Sequence, residues 1–394
     1  MVSTIWKSSP VGVHQVDLRD TPAEAEFRAE AREWLAAHRP DPPLPSGDTA
    51  AGFTLHVRWE CELFDAGWAV VSWPKRYGGR DASLAEWLIF EEEYHRSGAP
   101  QRVAQNGIFL LAPTLFAFGT QEQQDRILPR MAAMRDVWCQ GWSEPEAGSD
   151  LASIRSGAVR DEHAGGWRLT GQKTWTTRGA FCTHLFGLFR TDPEAGRHRG
   201  LTYFLVPLDS DGVTVRGFGR LDGDEGFADV FFDDVFVPDD AVLGEVHQGW
   251  RVAMATTGSE RGLTLRSPGR FRQTARRLVD LAASHGDDLD PRLADEVVQG
   301  WMAAEAYHLF TLRQVTEIRA GREPGPASSL NKLFWSELDI RLHATALELL
   351  GAEGELDGPW SRGFQFALGG PIYAGTNEIQ RTIVAERLLG LPRK

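Results

Sequence analysis

Lysine is the rarest of the charged residues here. Only Lys7, Lys75, Lys173, Lys332 and Lys394 are lysines among 42 Lys and Arg residues. That skew fits a GC-rich bacterial coding sequence and carries no functional message. Basic residues are also outnumbered, 42 against 55 Asp and Glu, giving a net charge of −13. Nucleic acid and anionic membranes need a basic surface, so neither is an expected partner. The three cysteines, Cys61, Cys139 and Cys182, are widely spaced and odd in number. A disulfide framework and a CxxC metal site are disfavoured, and a reducing cytoplasm fits. Long apolar runs are missing too. Met1 to Asp20 has no signal-peptide core, and Gly107 to Phe118 is far short of the roughly 20 residues of a membrane span. None of the 11 histidines falls in an HExxH pattern, which disfavours a zinc hydrolase, and no metal site is expected.

What remains is an ordinary globular balance, 42% hydrophobic and 25% charged over 394 residues, long enough for two or three domains. The 14 tryptophans suit a core, or a pocket for a flat ligand. The pattern is helical from Thr21 to about Met134. Pro22 opens a helix bearing Phe27, Ala31, Trp34 and Leu35, and a Pro-rich break at 40–48 precedes a helix with Trp59, Leu63 and Trp68. Glu86 to Tyr94 and Gln105 to Phe118 read as two more, and after Gly119 the Thr120…Gln123 pair caps another. The period changes after Trp138. Gly166 to Thr177 reads as a hairpin turning at Gly171-Gln172, with strands following at 185–190, 202–207, 213–216 and 230–237. Helices return at 250–284, 291–319, 328–350 and 376–389. The expected fold is α+β: a helical domain (1–136), a central β-barrel or sandwich (137–246) and a helical bundle (247–394).

Some signals are bland. Gly217-Phe218-Gly219 lacks a βαβ setting and reads as a strand turn. His308 and His343 read as structural, and Trp59, Trp68 and Trp87 as core. Three segments are more specific. In Trp142-Ser143-Glu144-Pro145-Glu146-Ala147-Gly148-Ser149-Asp150, two hydroxyls flank a small-residue turn able to grip a polar ring edge and a phosphate. In Lys173-Thr174-Trp175-Thr176-Thr177, alternation puts the Trp175 plate beside the Thr177 hydroxyl. Tyr373-Ala374-Gly375-Thr376-Asn377-Glu378 is a tight turn opening the last helix, an anion site by position. Each alone also reads as a plain turn, hairpin or cap.

In this order and layout the three segments resemble the acyl-CoA dehydrogenase family over nearly the whole chain. The 231–238 stretch, Phe-Phe-Asp-Asp-Val-Phe-Val-Pro, supports the match. Ser143-Glu144-Pro145 and the ending Ala385-Glu386-Arg387-Leu388-Leu389 resemble an actinobacterial branch that includes dehydrogenases of sterol side chains. The resemblance implies FAD between the β domain and the C-terminal helices. Trp142 and Gly148 would line that cofactor. Ser143 would bond the flavin ring and Ser149 the pyrophosphate, with Trp175 against the isoalloxazine and Thr177 near N5. Thr376 and Glu378 would approach the cofactor as well. It also implies a homo-oligomer, dimer or tetramer, or a mixed tetramer as in some relatives, with an electron-transfer flavoprotein as acceptor.

The implied reaction removes the proton α to a thioester and passes the β-hydride to flavin N5, which calls for a carboxylate base and donors to the carbonyl. Many relatives carry that base just before the Gly-Thr of the third segment, where this chain has Ala374. Others carry a Glu-Arg pair on a C-terminal helix, matched here by Glu260-Arg261. The resemblance therefore implies Glu260 as base, Arg261 in a positioning role and the Ala374 N–H on the carbonyl. Read from its helix alone, Glu260 is equally a solvated carboxylate among Thr256, Thr257, Leu263 and Thr264. Two departures stand out: 283–291 lacks an Arg-x-x-Phe-Gly segment, and Glu348 stands where a Gln is common. Gln105 and Asn106 either line the pocket or cap a helix. The leading expectation is α,β-desaturation of an acyl-CoA or acyl-carrier-protein thioester. Flavin monooxygenation is an alternative on the same fold, and a non-catalytic subunit is a third reading.

Overall fold

The computed structural model of the chain describes residues 19–261, 267–322, 325 and 327–392. The first helix, α1 (Pro22–His38), begins where its sequence supplies both halves of a capping box. The Thr21 hydroxyl accepts from the Glu24 N–H, and the Glu24 carboxylate accepts from the Thr21 N–H. Its buried stripe, Phe27, Ala31 and Leu35, faces the core. α2 (Ala50–Asp65) ends before Trp68, which lies in the turn beyond it and not on the helix as expected. Trp68 is buried all the same, stacked on Phe90 of α3 (Leu84–Arg96) with ring centroids 5.4 Å apart.

Gln105 to Phe118 is helical but not uniformly α. Asn106–Leu111 forms a π-helical turn that passes into α4 (Ala112–Phe118), and periodicity gave no sign of the wider turn. α5 (Gln121–Ala132) starts with the Thr120–Gln123 capping box read from the sequence.

Seven strands follow: β1 (Trp138–Gly141), β2 (Gly157–Asp161), β3 (Gly166–Thr177), β4 (His184–Arg190), β5 (Leu201–Pro207), β6 (Val213–Phe218) and β7 (Phe227–Pro238). They form one sheet in the order β1-β4-β2-β3-β7-β6, with β5 on β4. The expected hairpin at Gly171-Gln172 is absent. Gly166 to Thr177 is a single strand, antiparallel to β2 on one side and β7 on the other. Gly171 adopts φ 143° at a register shift instead of turning the chain, and a Cβ there would collide with the Ser156 side chain. Cys139 and Cys182 pack together in the core of this sheet, and all three cysteines are free thiols.

The chain ends in α6 (Gly249–Arg261), α7 (Pro268–Ala283), α8 (Pro291–Arg319), α9 (Ala327–Leu350), α10 (Pro359–Ala367) and α11 (Asn377–Ile383). The helix expected over 250–284 is thus two. Ser267 caps α7 and Pro268, which cannot donate an N–H, sits at its first position. α10 was not foreseen, and the last helix ends in a π-helical turn at Val384–Leu388. The architecture is the expected α+β layout of helices, sheet and helices.

The N-terminal helices and the sheet are joined by a buried ion-pair cluster. Asp48, before α2, accepts from Arg178 Nε and Arg220 Nη1, each at 2.6 Å. Burial works to raise the Asp48 pKa, but the charges of Arg178 and Arg220 outweigh it and hold it below 3.8. Asp48→Ala, which removes the carboxylate from the buried Arg178 while Arg220 keeps Asp222, should cost about 3 kcal/mol in urea unfolding. Because the folded pKa is depressed, the Asp48 contribution is complete above its unfolded value and is lost as pH falls through the folded one. The deficit of the variant should therefore shrink below about pH 4.

Candidate functional site

The loop after β1 owes its shape to a second buried ion pair. Lys173 of β3 is fully buried, and its Nζ donates to Glu144 Oε1 and to the Leu188 carbonyl, both at 2.7 Å. Glu144 also accepts from the backbone N–H groups of Arg155 (2.6 Å) and Ser156 (3.0 Å). Burial pulls the Lys173 pKa down to about 8 despite the carboxylate beside it, which leaves it charged at neutral pH. Burial also opposes ionisation of Glu144, but the Lys173 charge and the hydrogen bonds hold its pKa below 4.5. One further bond, Thr174 N–H to the Ser143 carbonyl at 2.9 Å, fixes the loop edge-on to β3.

On that loop Ser143 is half-buried, while Gly148 and Ser149 are exposed. A Cβ on Gly148 would meet nothing within 4 Å, so the backbone there is open to a ligand. Trp142 is buried, and its indole Nε1 has no hydrogen-bond partner among the described residues. A buried donor left this way costs free energy unless something accepts from it.

Trp175 stands beside the loop in a left-handed conformation, φ 56°, at the second register shift of β3. Its ring is held edge-on by Phe218 (5.3 Å) and Phe227 (5.5 Å) and is 61% exposed, an aromatic plate facing away from the core. Thr177 is half-buried, and Thr176 between them points inward with a hydroxyl that has no partner among the described residues.

The third segment is a turn with two successive left-handed residues, Ala374 (φ 58°) and Gly375 (φ 77°). Thr376 caps α11, its hydroxyl accepting from the Ile379 N–H. The helix has seven residues, and two of its first N–H groups are already engaged, that of Asn377 by the Pro371 carbonyl and that of Ile379 by the Thr376 hydroxyl. Glu378 is exposed, with its pKa lowered by its own N–H and the Thr376 hydroxyl.

Glu260 and Arg261 are the last two residues of α6, and their side chains, like Gly262, Leu263 and Thr264, lie outside the described residues. One turn earlier, Thr256 and Thr257 are buried, and the Thr256 hydroxyl meets that of Thr114 on α4 at 2.8 Å. Gln105 precedes the π-helical turn without a side-chain cap bond. Glu348 pairs with Arg292 at 2.6 Å on the surface of α8. Sequence reasoning passed over Lys173 and Glu144 as a pair. A lone lysine inside a β pattern was the available signal.

Family models match three consecutive stretches: the acyl-CoA dehydrogenase N-terminal domain over residues 21–135, the middle domain over 139–235 and the C-terminal domain over 247–389. The chain is 39% identical over 396 residues to acyl-CoA dehydrogenase IpdE1 of Mycolicibacterium smegmatis, covering 94% of this chain and 98% of that one. Among solved structures it is similar to the Tcur3481-Tcur3483 steroid ACAD, with TM-score 0.85, 28% identity, and coverage of 96% of this chain and 100% of that one. The ChsE4-ChsE5 complex from Mycobacterium tuberculosis is similar at TM-score 0.83 and 28% identity, covering 96% and 100%.

Glu144→Gln and Lys173→Met should each destabilise the protein by about 3–5 kcal/mol, since each leaves the other charge buried alone. The double variant should recover part of that loss in urea unfolding. The Glu144 contribution is complete above about pH 4.5 and falls as acid takes the solution through its lowered folded pKa.

Proposed function

Because this chain belongs to the acyl-CoA dehydrogenase family, we propose that it desaturates an acyl thioester between Cα and Cβ with FAD as its cofactor. The observation that carries the cofactor assignment is the bare Trp175 plate beside a loop whose buried Trp142 N–H lacks a partner. These residues fit a flat, polar-edged ring. Ser143, Trp142, Trp175 and Thr177 would hold it, Gly148 and Ser149 would face the pyrophosphate, and Thr376 and Glu378 would approach from the C-terminal side. FAD, when bound, supplies the acceptor for the hydride that leaves Cβ.

Glu260 takes the α-proton in this reading, and Ala374 offers its backbone N–H to the thioester carbonyl, where negative charge develops. Arg261 positions the site. Ala374 itself has no side chain that accepts a proton, so the base has to come from elsewhere, and α6 ends at the matching Glu-Arg pair. We divide the chain at 136/137 and 246/247, assign CoA as the thioester carrier and an electron-transfer flavoprotein as the acceptor. The three free thiols suit a reducing cytoplasm. Among the described residues no helix is long and apolar enough to cross a membrane.

Val298, Trp301, Met302 and Leu309 lie exposed along α8 at helical spacing, which supports a homo-oligomer. A second reading, one subunit of a mixed assembly, is favoured by Ala374 and by the likeness to the ChsE4-ChsE5 complex.

The test is anaerobic reduction of the purified chain by a panel of acyl-CoAs. One acyl class should bleach the flavin, and Glu260→Gln should slow bleaching by about 10²–10⁴-fold at unchanged flavin content. Flavin that no acyl-CoA bleaches would sink the desaturase reading. A colourless chain that gains flavin only with an unlike subunit would replace the homo-oligomer with the mixed assembly.

A further inference from the structure

The turn that carries Ala374 is not self-supporting. Two consecutive left-handed residues, one of them with a Cβ, need outside contacts to persist. Those contacts come from the first turn of α11. The Asn377 N–H donates to the Pro371 carbonyl at 2.8 Å and closes the turn. The Gln380 side chain, fully buried, donates through Nε2 to the carbonyls of Ala374 (3.0 Å) and Gly375 (3.3 Å).

α11 is held in its turn by one face of α9. Lys332 Nζ donates to Asn377 Oδ1 at 2.7 Å, and the Ser336 hydroxyl donates to the same oxygen at 3.1 Å. The Asn377 amide donates in the other direction, to Glu337 at 3.3 Å. Trp335, between them, stacks on the Tyr373 ring at 5.9 Å and 28°. Lys332, Trp335 and Ser336 are spaced i, i+3, i+4, so a single helix face grips both ends of the turn. Lys332 is fully buried, and an ammonium removed from water is expensive for the fold. A methionine would fill similar space without that cost, but it has no donor with which to fix Asn377.

We propose that Lys332 is a positioning residue: by fixing Asn377 it sets the Pro371–Thr376 turn in the geometry that receives the thioester carbonyl. The inference rests on the reading above, in which the Ala374 N–H donates to that carbonyl. Lys332 touches neither substrate nor cofactor in this account. Its effect passes through Asn377 to the backbone, and a misplacement on the order of 1 Å at a reacting centre is enough to lower rate about 10²-fold.

The test uses Lys332→Met in the full-length, flavin-loaded protein, with the acyl-CoA that bleaches the wild type and the 3-keto derivative of that same acyl-CoA. The expected result is a thermal midpoint and flavin content near wild type, a bleaching rate lowered about 10–100-fold, and a substrate Kd changed less than about three-fold. A carbonyl that has lost its aligned donor also stabilises the enolate less. The pH at which the bound 3-keto derivative becomes its enolate, read from enolate absorbance, should therefore rise by about one unit. Ser336→Ala, which removes only the second donor to Asn377, should shift both readouts the same way by a smaller factor. Should Lys332→Met fail to fold, Lys332→Gln, shorter and neutral, takes its place with the same expectations. A variant with wild-type bleaching rate and wild-type enolate pH overturns the inference while leaving desaturation intact. A wild-type protein that no acyl-CoA bleaches overturns the desaturase reading itself.

Discussion

The buried pair of Glu144 and Lys173 is the constraint on which the rest of the candidate site depends. Loops after short strands are ordinarily free to move, yet this one is fixed at four points: Lys173 Nζ, two backbone N–H groups on Glu144, and the Thr174–Ser143 bond. The Lys173 and Thr174 contacts join the loop to β3, and the two Glu144 contacts join it to the segment before β2. Ser143 and Glu144 are therefore fixed to the strand that carries Trp175. A surface pair could not do this, since solvent screening and side-chain entropy leave such pairs little net hold. The desolvation of Lys173, visible in its lowered pKa, is the cost of that rigidity.

Backbone strain marks two of the candidate segments. Trp175 on the sheet and Ala374 before the last helix are both non-glycine residues in left-handed backbone. Each conformation costs roughly 1–2 kcal/mol for an L-residue and persists only where surroundings over-determine it. Trp175 is held by two phenylalanine rings and by the pairing with β7 on either side of the register shift, Ala374 by the buried amide of Gln380.

Much of this was legible in the residues, and the boundary between read and unread is physical. Helix starts were clear where a capping pair is local, as at Thr120 and Gln123, because both partners lie within one turn. The hairpin at Gly171 was misread because a Gly-Gln step looks the same in a turn and in a bulge. Only the pairing of β3 on both sides, with β2 and β7, decides between them. The π-helical turn at Asn106–Leu111 left no periodic trace, since one inserted residue barely alters an apolar run. The three candidate segments could be singled out because their residues are contiguous. Their supports were missed because Glu144 and Lys173, or Lys332 and Asn377, meet only through tertiary contact. Composition also misleads on this point, as lysine is the residue least expected to be buried.

The scarcity of lysine then acquires a meaning that coding bias alone does not give it. Of the five, Lys173 and Lys332 are sealed in the interior, whereas Lys75 stands open on the surface. A reagent that acylates primary amines would find these two closed as long as the loop after β1 and the turn before α11 stay assembled. Modification of Lys173 would report the opening of the first, and modification of Lys332 the opening of the second, so the two local unfolding events could be followed separately.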